Sequence, residues 1–280
     1  MYGFDYQRPA SRDAAKSAAS GADVRYLAGG QSLIQAMRLR LSQSERLVDL
    51  GGIADLKTIK VDGNGVTIGA MATHASVAAH ADVRKAIPAL AELAGGIGDP
   101  MVRNMGTIGG SIANADPAAC YPAGVLGLNA TIHTDRRTIA ADSFFTGLYE
   151  TALQPGELIT GVSFPTAQKA AYVKFKQPAS RFALIGVCVA QTGGGVRVAV
   201  TGAQSHVFRA SQIEAALAKS FTPEAAKAVK MPTTDVNADL HGSAEYRAAM
   251  ISVIASRAVA AALARGGRRR PLPLAGEGGG

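Results

Sequence analysis

Two glycine-rich segments hold most of the residues whose type and spacing could do chemistry. Residues 27–33, LAGGQSL, run from an apolar stretch through a glycine pair into Gln31 and Ser32 at an expected helix start. Such a turn presents backbone N–H groups at the positive end of a helix. The missing Cβ atoms of Gly29 and Gly30 also let a phosphate approach the backbone. A plain tight connection would read the same way. Residues 104–119, NMGTIGGSIANADPAA, repeat the theme with Gly106, Gly109 and Gly110. Thr107, Ser111, Asn114 and Asp116 add short polar side chains suited to a pyrophosphate, a ribose or an amide-rich ring; an irregular loop packed by its own glycines is the alternative. Two such segments in different subdomains, with no acid–base pair, point to a long diphosphate ligand held between two lobes. The chemistry would then belong to a cofactor, with the protein supplying position and electrostatics.

Other familiar devices are missing from the sequence. It contains no G-x-G-x-x-G, no G-x-x-x-x-G-K-[ST], no H-E-x-x-H and no C-x-x-C. The five histidines, His74, His80, His133, His206 and His241, have no metal-ligand spacing and read as structural or exposed. Two cysteines, Cys120 and Cys188, cannot build a disulfide framework, an all-cysteine zinc site or an iron–sulfur cluster.

Composition narrows the class further. The 280 residues are 48% hydrophobic and 18% charged, which supports a sizeable core and argues against a disordered chain. The formal charge of +8 is partly a matter of the C-terminus, where Arg265, Arg268, Arg269 and Arg270 face only Glu277. The remaining basic residues are dispersed, few aromatics interleave with them, and no nucleic-acid partner is expected. The N-terminus has no signal pattern, and no apolar run approaches the roughly 18 residues of a membrane span, so a cytoplasmic protein is expected.

The elements that must position the two turns follow from periodicity. Residues 9–20 read as a helix, 24–29 as a strand entering the first turn, 31–41 as an amphipathic helix and 46–50 as a buried strand. A hairpin is expected over residues 57–71, turning at 62–65. An alanine-rich stretch from Thr73, a plausible N-cap, to residue 93 reads as two helices divided at Pro88. Residues 95–122 read as a polar, glycine-rich segment, and strands are expected at 130–134, 137–141 and 157–165. Past a boundary near 167–171, three strands are followed by helices at 211–219, 223–229 and 244–263.

Four stretches together carry a family resemblance: F-x-Y-x-R-P-A-S at 4–11, AGGQSL at 28–33, TIGGSIANADPAA at 107–119 and KFKQPASRFALIG at 174–186. They resemble the FAD-binding medium subunit of the molybdenum hydroxylases, the flavoprotein of aerobic carbon monoxide dehydrogenase and its relatives in the xanthine dehydrogenase family. The resemblance spans residues 1–263 and implies an α+β fold. Its first part would be a two-lobed FAD-binding fold of the vanillyl-alcohol-oxidase (PCMH) type, with lobes at 1–55 and 56–168. A C-terminal domain of a three-stranded antiparallel sheet and helices would follow at 169–264, and a disordered tail at 265–280.

The resemblance also implies residue roles. Ala28, Gly29, Gly30, Gln31, Ser32 and the adjoining Leu33 would hold the FAD diphosphate, together with Thr107, Ile108, Gly109, Gly110 and Ser111. Thr73 matches a position near the diphosphate, Ile97 and Ile159 match apolar positions beside the isoalloxazine, and Lys176 matches a lysine near the ring. Relatives often carry Asp where this chain has Cys120, so Asp116 is the expected substitute. Ser111 stands where Asn is more frequent. Cys120 and Cys188 are read as inert buried thiols, and Tyr172 and Phe182 as core aromatics.

In the implied complex, a large subunit carries the molybdenum cofactor and a small subunit carries two [2Fe–2S] clusters, in a dimer of heterotrimers. Electrons would pass through the clusters to FAD on this chain and on to an external acceptor such as quinone, NAD or oxygen. No catalytic residue or metal site is expected on this chain. The complex would be cytoplasmic, with peripheral attachment to the inner membrane as a variant. The competing readings are a stand-alone FAD-dependent reductase of the same fold and a non-catalytic assembly protein.

Overall fold

In the computed structural model, which describes residues 1–266, three sheets surround one cleft, and a fourth is only the small pair Phe145–Gly147 and Glu150–Thr151. The first is a three-stranded parallel sheet. Arg46–Asp49 lies at its centre, flanked by Asp5–Gln7 and Val24–Leu27. The Asp5–Gln7 strand was not legible by alternation, because its residues are largely exposed at the sheet edge. The helix Arg12–Ala18 starts at Ser11, whose hydroxyl accepts the Ala14 N–H, and buries Ala15 against Val48, Leu50 and Ile53. Leu33–Arg38 follows the first glycine turn.

The second sheet is antiparallel, in the order Ile59–Asp62, Gly65–Gly69, Ile159–Pro165, Thr131–Thr134, Thr138–Ala140. Val66, Ile68, Ile132, Val162 and Phe164 are buried in the same core as Leu90, Leu93 and Tyr121, which come from the helices. The alanine-rich stretch breaks twice rather than once. Thr73 caps His74–Ala79, His80 Nδ1 accepts the Val83 N–H to start Ala81–Ala86, and Pro88 opens Pro88–Gly95. The polar segment 95–122 holds two short helices, Pro100–Met105 and Ile108–Asn114, and at Cys120 a third begins, Cys120–Gly127. The glycine-rich residues of the last two are poor helix formers, and side-chain caps from Asp99 and Thr107 start the first two.

The third sheet is antiparallel and has four strands rather than three: Lys169–Lys176, Ala183–Thr192, Gly195–Thr201 and the short Phe208–Arg209. Residues 183–190 are buried on both faces. Ile185, Val187 and Val189 meet Ile251, Ala255 and Val259 of the long helix Ala244–Gly266, while Cys188 and Ala190 join the core beneath the second sheet. That long helix is apolar enough over Ala244–Arg265 to cross a membrane by length and composition, although its apolar residues do not form one unbroken run, and half of that stretch is buried within the fold. The expected tail therefore begins too early at residue 265. Arg265 is helical, donates to the Ala170 carbonyl at 2.9 Å and pairs with Glu92. Residues 267–280 of that expected tail lie outside the described residues.

Candidate functional site

The two glycine turns touch. Gly29 packs against the backbone of Met105 and Gly106, and an added Cβ would fall 2.0 Å from the Met105 carbonyl oxygen. On its other side the second turn is seated on residues 70–74. Gly109 N–H donates to Ala70 O at 2.8 Å, Ile108 N–H to Ala72 O at 3.1 Å, and Gly106 O accepts the His74 N–H at 2.9 Å. A Cβ on Gly109 would lie 2.6 Å from that of Ala70. The glycines here are required by close packing, Gly29 against the second turn and Gly106 and Gly109 against residues 70–74, quite apart from any ligand.

The turns differ in the donors they leave over. In the second, Thr107 accepts through its hydroxyl from Gly110 N–H and through its carbonyl from Ser111 N–H. In the first, the N–H groups of Gly30, Gln31 and Ser32 meet no acceptor among the described residues, and Gly30 adopts φ +70°. Anion-binding donors thus concentrate at the first turn. The second contributes clearance and the side chains of Ser111 and Asn114.

Both turns line a cleft of about 420 Å³, within the usual range for cofactor pockets. Ala28, Gly29, Gly30, Gln31, Ser32 and Leu33 line it from the first turn. Thr107, Gly109, Gly110, Ser111, Asn114 and Asp116 do so from the second glycine-rich segment, and Ile97 and Ile159 complete its apolar wall. Three expected residues lie elsewhere. Thr73 caps a helix and bridges Thr107, and Ile108 is core. Lys176 is exposed outside the cleft, because the pairing of its strand shifts register between Phe175 and Lys176.

The cleft lysine is Lys174. Its ammonium donates to Gly96 O at 2.8 Å, Arg181 O at 3.0 Å and Cys120 Sγ at 3.3 Å. Cys120 and Phe182, read as core from sequence, both line the cleft, as do Arg25, Glu157 and Arg181. Lys174, Arg181 and Phe182 fall within the 174–186 stretch that carries the resemblance, while Arg25 and Glu157 carry no local sequence signal. The third sheet fixes the cleft floor: Thr201 Oγ1 donates to the carbonyls of Pro117 and Ala119, and Gly202 N–H to Pro117 O at 2.7 Å.

Electrostatics follow from burial. His74, read as merely structural, lines the cleft with its Nδ1 unpartnered, and burial together with nearby Arg103 brings its pKa down to about 4. Burial raises the Asp116 carboxyl, although Ala118 N–H and the Tyr149 hydroxyl donate to it. Glu157 is held down to about 2, chiefly by the bidentate Arg137 guanidinium, with Gln154 N–H and Thr134 adding donors.

A family model described as the FAD binding domain in molybdopterin dehydrogenase matches residues 2–167. The chain belongs to this family. The carbon monoxide dehydrogenase medium chain of Hydrogenophaga pseudoflava is 35% identical, over 94% of this chain and 98% of its own length. The nicotine 6-hydroxylase medium subunit of Paenarthrobacter nicotinovorans is 34% identical, over 93% and 97%. Among solved structures, a carbon monoxide dehydrogenase from Hydrogenophaga pseudoflava that lacks the Mo-pyranopterin moiety of its cofactor superposes with a TM-score of 0.85 and 36% identity, covering 94% of this chain and 98% of that one. FAD is therefore the cofactor of this chain, and the chain is an oxidoreductase subunit of the molybdenum hydroxylase type. The cleft suits an FAD-binding domain of this family: free N–H donors at a glycine turn for a diphosphate, an apolar wall at Ile97 and Ile159, and a cation at Lys174.

Proposed function

We propose that this chain is the electron-transferring medium subunit of a three-subunit molybdenum hydroxylase, in a dimer of heterotrimers. The observation that carries the reading is the meeting of the two glycine turns at Gly29 and Met105, over a cleft with both diphosphate-type donors and an apolar wall. The N–H groups of Gly30, Gln31 and Ser32 bind the diphosphate, with Ala28 and Leu33 beside them. Gly109 and Gly110 give clearance, and Ser111, Asn114 and Asp116 contact the polar middle of the cofactor. Ile97 and Ile159 flank the ring and exclude water from it. When bound, FAD supplies the exchange between one- and two-electron transfer.

Two cysteines in 280 residues cannot ligate [2Fe–2S] clusters, which supports their placement on a small partner subunit and of the molybdenum cofactor on a large one. We assign residues 1–55 and 56–168 to the two lobes of a vanillyl-alcohol-oxidase-type fold and 169–264 to a C-terminal flavoprotein domain. The complex is cytoplasmic, and its acceptor is quinone, NAD or oxygen. Affinity purification of the full chain from its native host tests the reading. Recovery of a flavin-containing complex with a cluster-bearing small chain and a molybdenum-bearing large chain supports it. A chain recovered alone and fully active on an organic substrate overturns it in favour of a stand-alone reductase.

A further inference from the structure

An ammonium group has three N–H donors. All three of Lys174 are engaged inside the chain, by two backbone carbonyls and the Cys120 thiol. None is left to point at a ligand in the cleft. Among the described residues no carboxylate lies within ion-pair distance of this lysine. Lys174 therefore acts on whatever occupies the cleft through its charge rather than through a hydrogen bond, and its charge has no local counterion.

The third partner is the informative one. Cys120 is 5% exposed, opens the buried helix Cys120–Gly127 and lines the cleft beside Lys174. From the strand above, Tyr172 and Lys174 lie two residues apart and so project from the same face. The Tyr172 hydroxyl is buried on that side, where it interacts with Cys120 rather than with the ammonium. An acceptor at position 120 is thus what completes the ammonium's cage. A thiol does this without introducing a carboxylate.

We propose that Cys120 is a positioning residue that holds the Lys174 ammonium at the cleft wall without a counter-charge, so that the lysine favours the electron-rich, reduced form of the cofactor. The inference rests on the FAD reading above and deepens it. An opposite charge nearby stabilises the anionic form of a group, and a carboxylate in contact with the ammonium would cancel most of that effect.

The test is the midpoint potential of bound flavin, measured by spectroelectrochemical titration of the full chain loaded with FAD. Cys120→Asp should shift the reduction equilibrium at least tenfold toward the oxidised form, about 30 mV for a two-electron couple. Cys120→Ser, a neutral acceptor of similar size, should stay within about threefold of wild type, a tolerance well short of that tenfold shift. Lys174→Met should shift the equilibrium in the same direction as Cys120→Asp, and Lys174→Arg should restore most of it. The lysine pair keeps the test decisive if Cys120→Asp loses the cofactor.

A potential unchanged by Lys174→Met overturns the proposal, and so does a Cys120→Ser shift as large as that of Cys120→Asp. Failure of the wild-type chain to take up FAD at all would instead overturn the FAD reading and this inference with it, an outcome visible before any potential is measured.

Discussion

Gly29 lies with its bare Cα against the carbonyl of Met105, so close that a Cβ atom would fall 2.0 Å from the oxygen and 2.8 Å from the Gly106 Cα. Both partners of this contact are backbone and have little freedom to give way. Gly29→Ala must therefore push the two turns apart, at an overpacking cost of roughly 1–3 kcal/mol. FAD affinity should fall about tenfold to a hundredfold, read by flavin fluorescence titration. Gly63→Ala, where an added Cβ meets nothing within 4 Å, should leave affinity unchanged and serves as the control.

Gly110 tests the ligand side of the same junction. Its added Cβ would sit 3.0 Å from Thr107 Oγ1 and 3.1 Å from the Ala28 Cβ, between two residues that line the cleft. Gly110→Val should abolish FAD binding while amide exchange in the strand Ala183–Thr192 keeps its protection, since that strand packs on the long C-terminal helix. Full FAD content in this variant would contradict the placement of the diphosphate.

His74 should make stability depend on pH. Its folded pKa of about 4 lies below the ordinary histidine value near 6.5, so the unfolded chain binds the extra proton first. Its neutral form is accommodated in full above pH 6.5, and stability is lost as pH falls from there toward 4, by about 3 kcal/mol at the limit. In His74→Gln that part of the dependence should vanish. Denaturant titrations of both proteins at pH 7 and pH 4.5 give the comparison.

Glu157 works lower on the pH scale. Its carboxyl is depressed to about 2 by Arg137, so its stabilisation is complete above the ordinary carboxylate range and disappears only as pH falls toward 2. Arg137→Gln should return the Glu157 carboxyl upward, lower the unfolding temperature at neutral pH and flatten the acid limb below pH 4. Carboxyl titration followed by NMR reads the change directly.

The turns were legible because glycine's missing side chain is itself the signal: Gly29, Gly106 and Gly109 each stand where a Cβ would strike a neighbour. What sequence could not resolve was which function each glycine serves, since the N–H groups of Ile108 and Gly109 are spent on Ala72 and Ala70 rather than left for a ligand. The short helices Pro100–Met105 and Ile108–Asn114 escaped notice because capping by Asp99 and Thr107, rather than helix propensity, initiates them. Lys176 is the lysine to which the resemblance points, whereas Lys174 lines the cleft; both lie on one strand, and the register shift after Phe175 separates them. His74 and Arg265 depend on partners far away in sequence, Tyr121 for the one and Glu92 for the other, and no local pattern announces such contacts.

One measurement bears most directly on the central claim, that the cleft between the two glycine turns holds FAD. The purified full-length chain is stripped of bound small molecules, checked for cooperative unfolding, and titrated with FAD while flavin fluorescence is followed. The expected result is saturable uptake of one FAD per chain, weakened by Gly29→Ala and abolished by Gly110→Val. A folded, cooperatively unfolding chain that neither carries nor takes up FAD would contradict it.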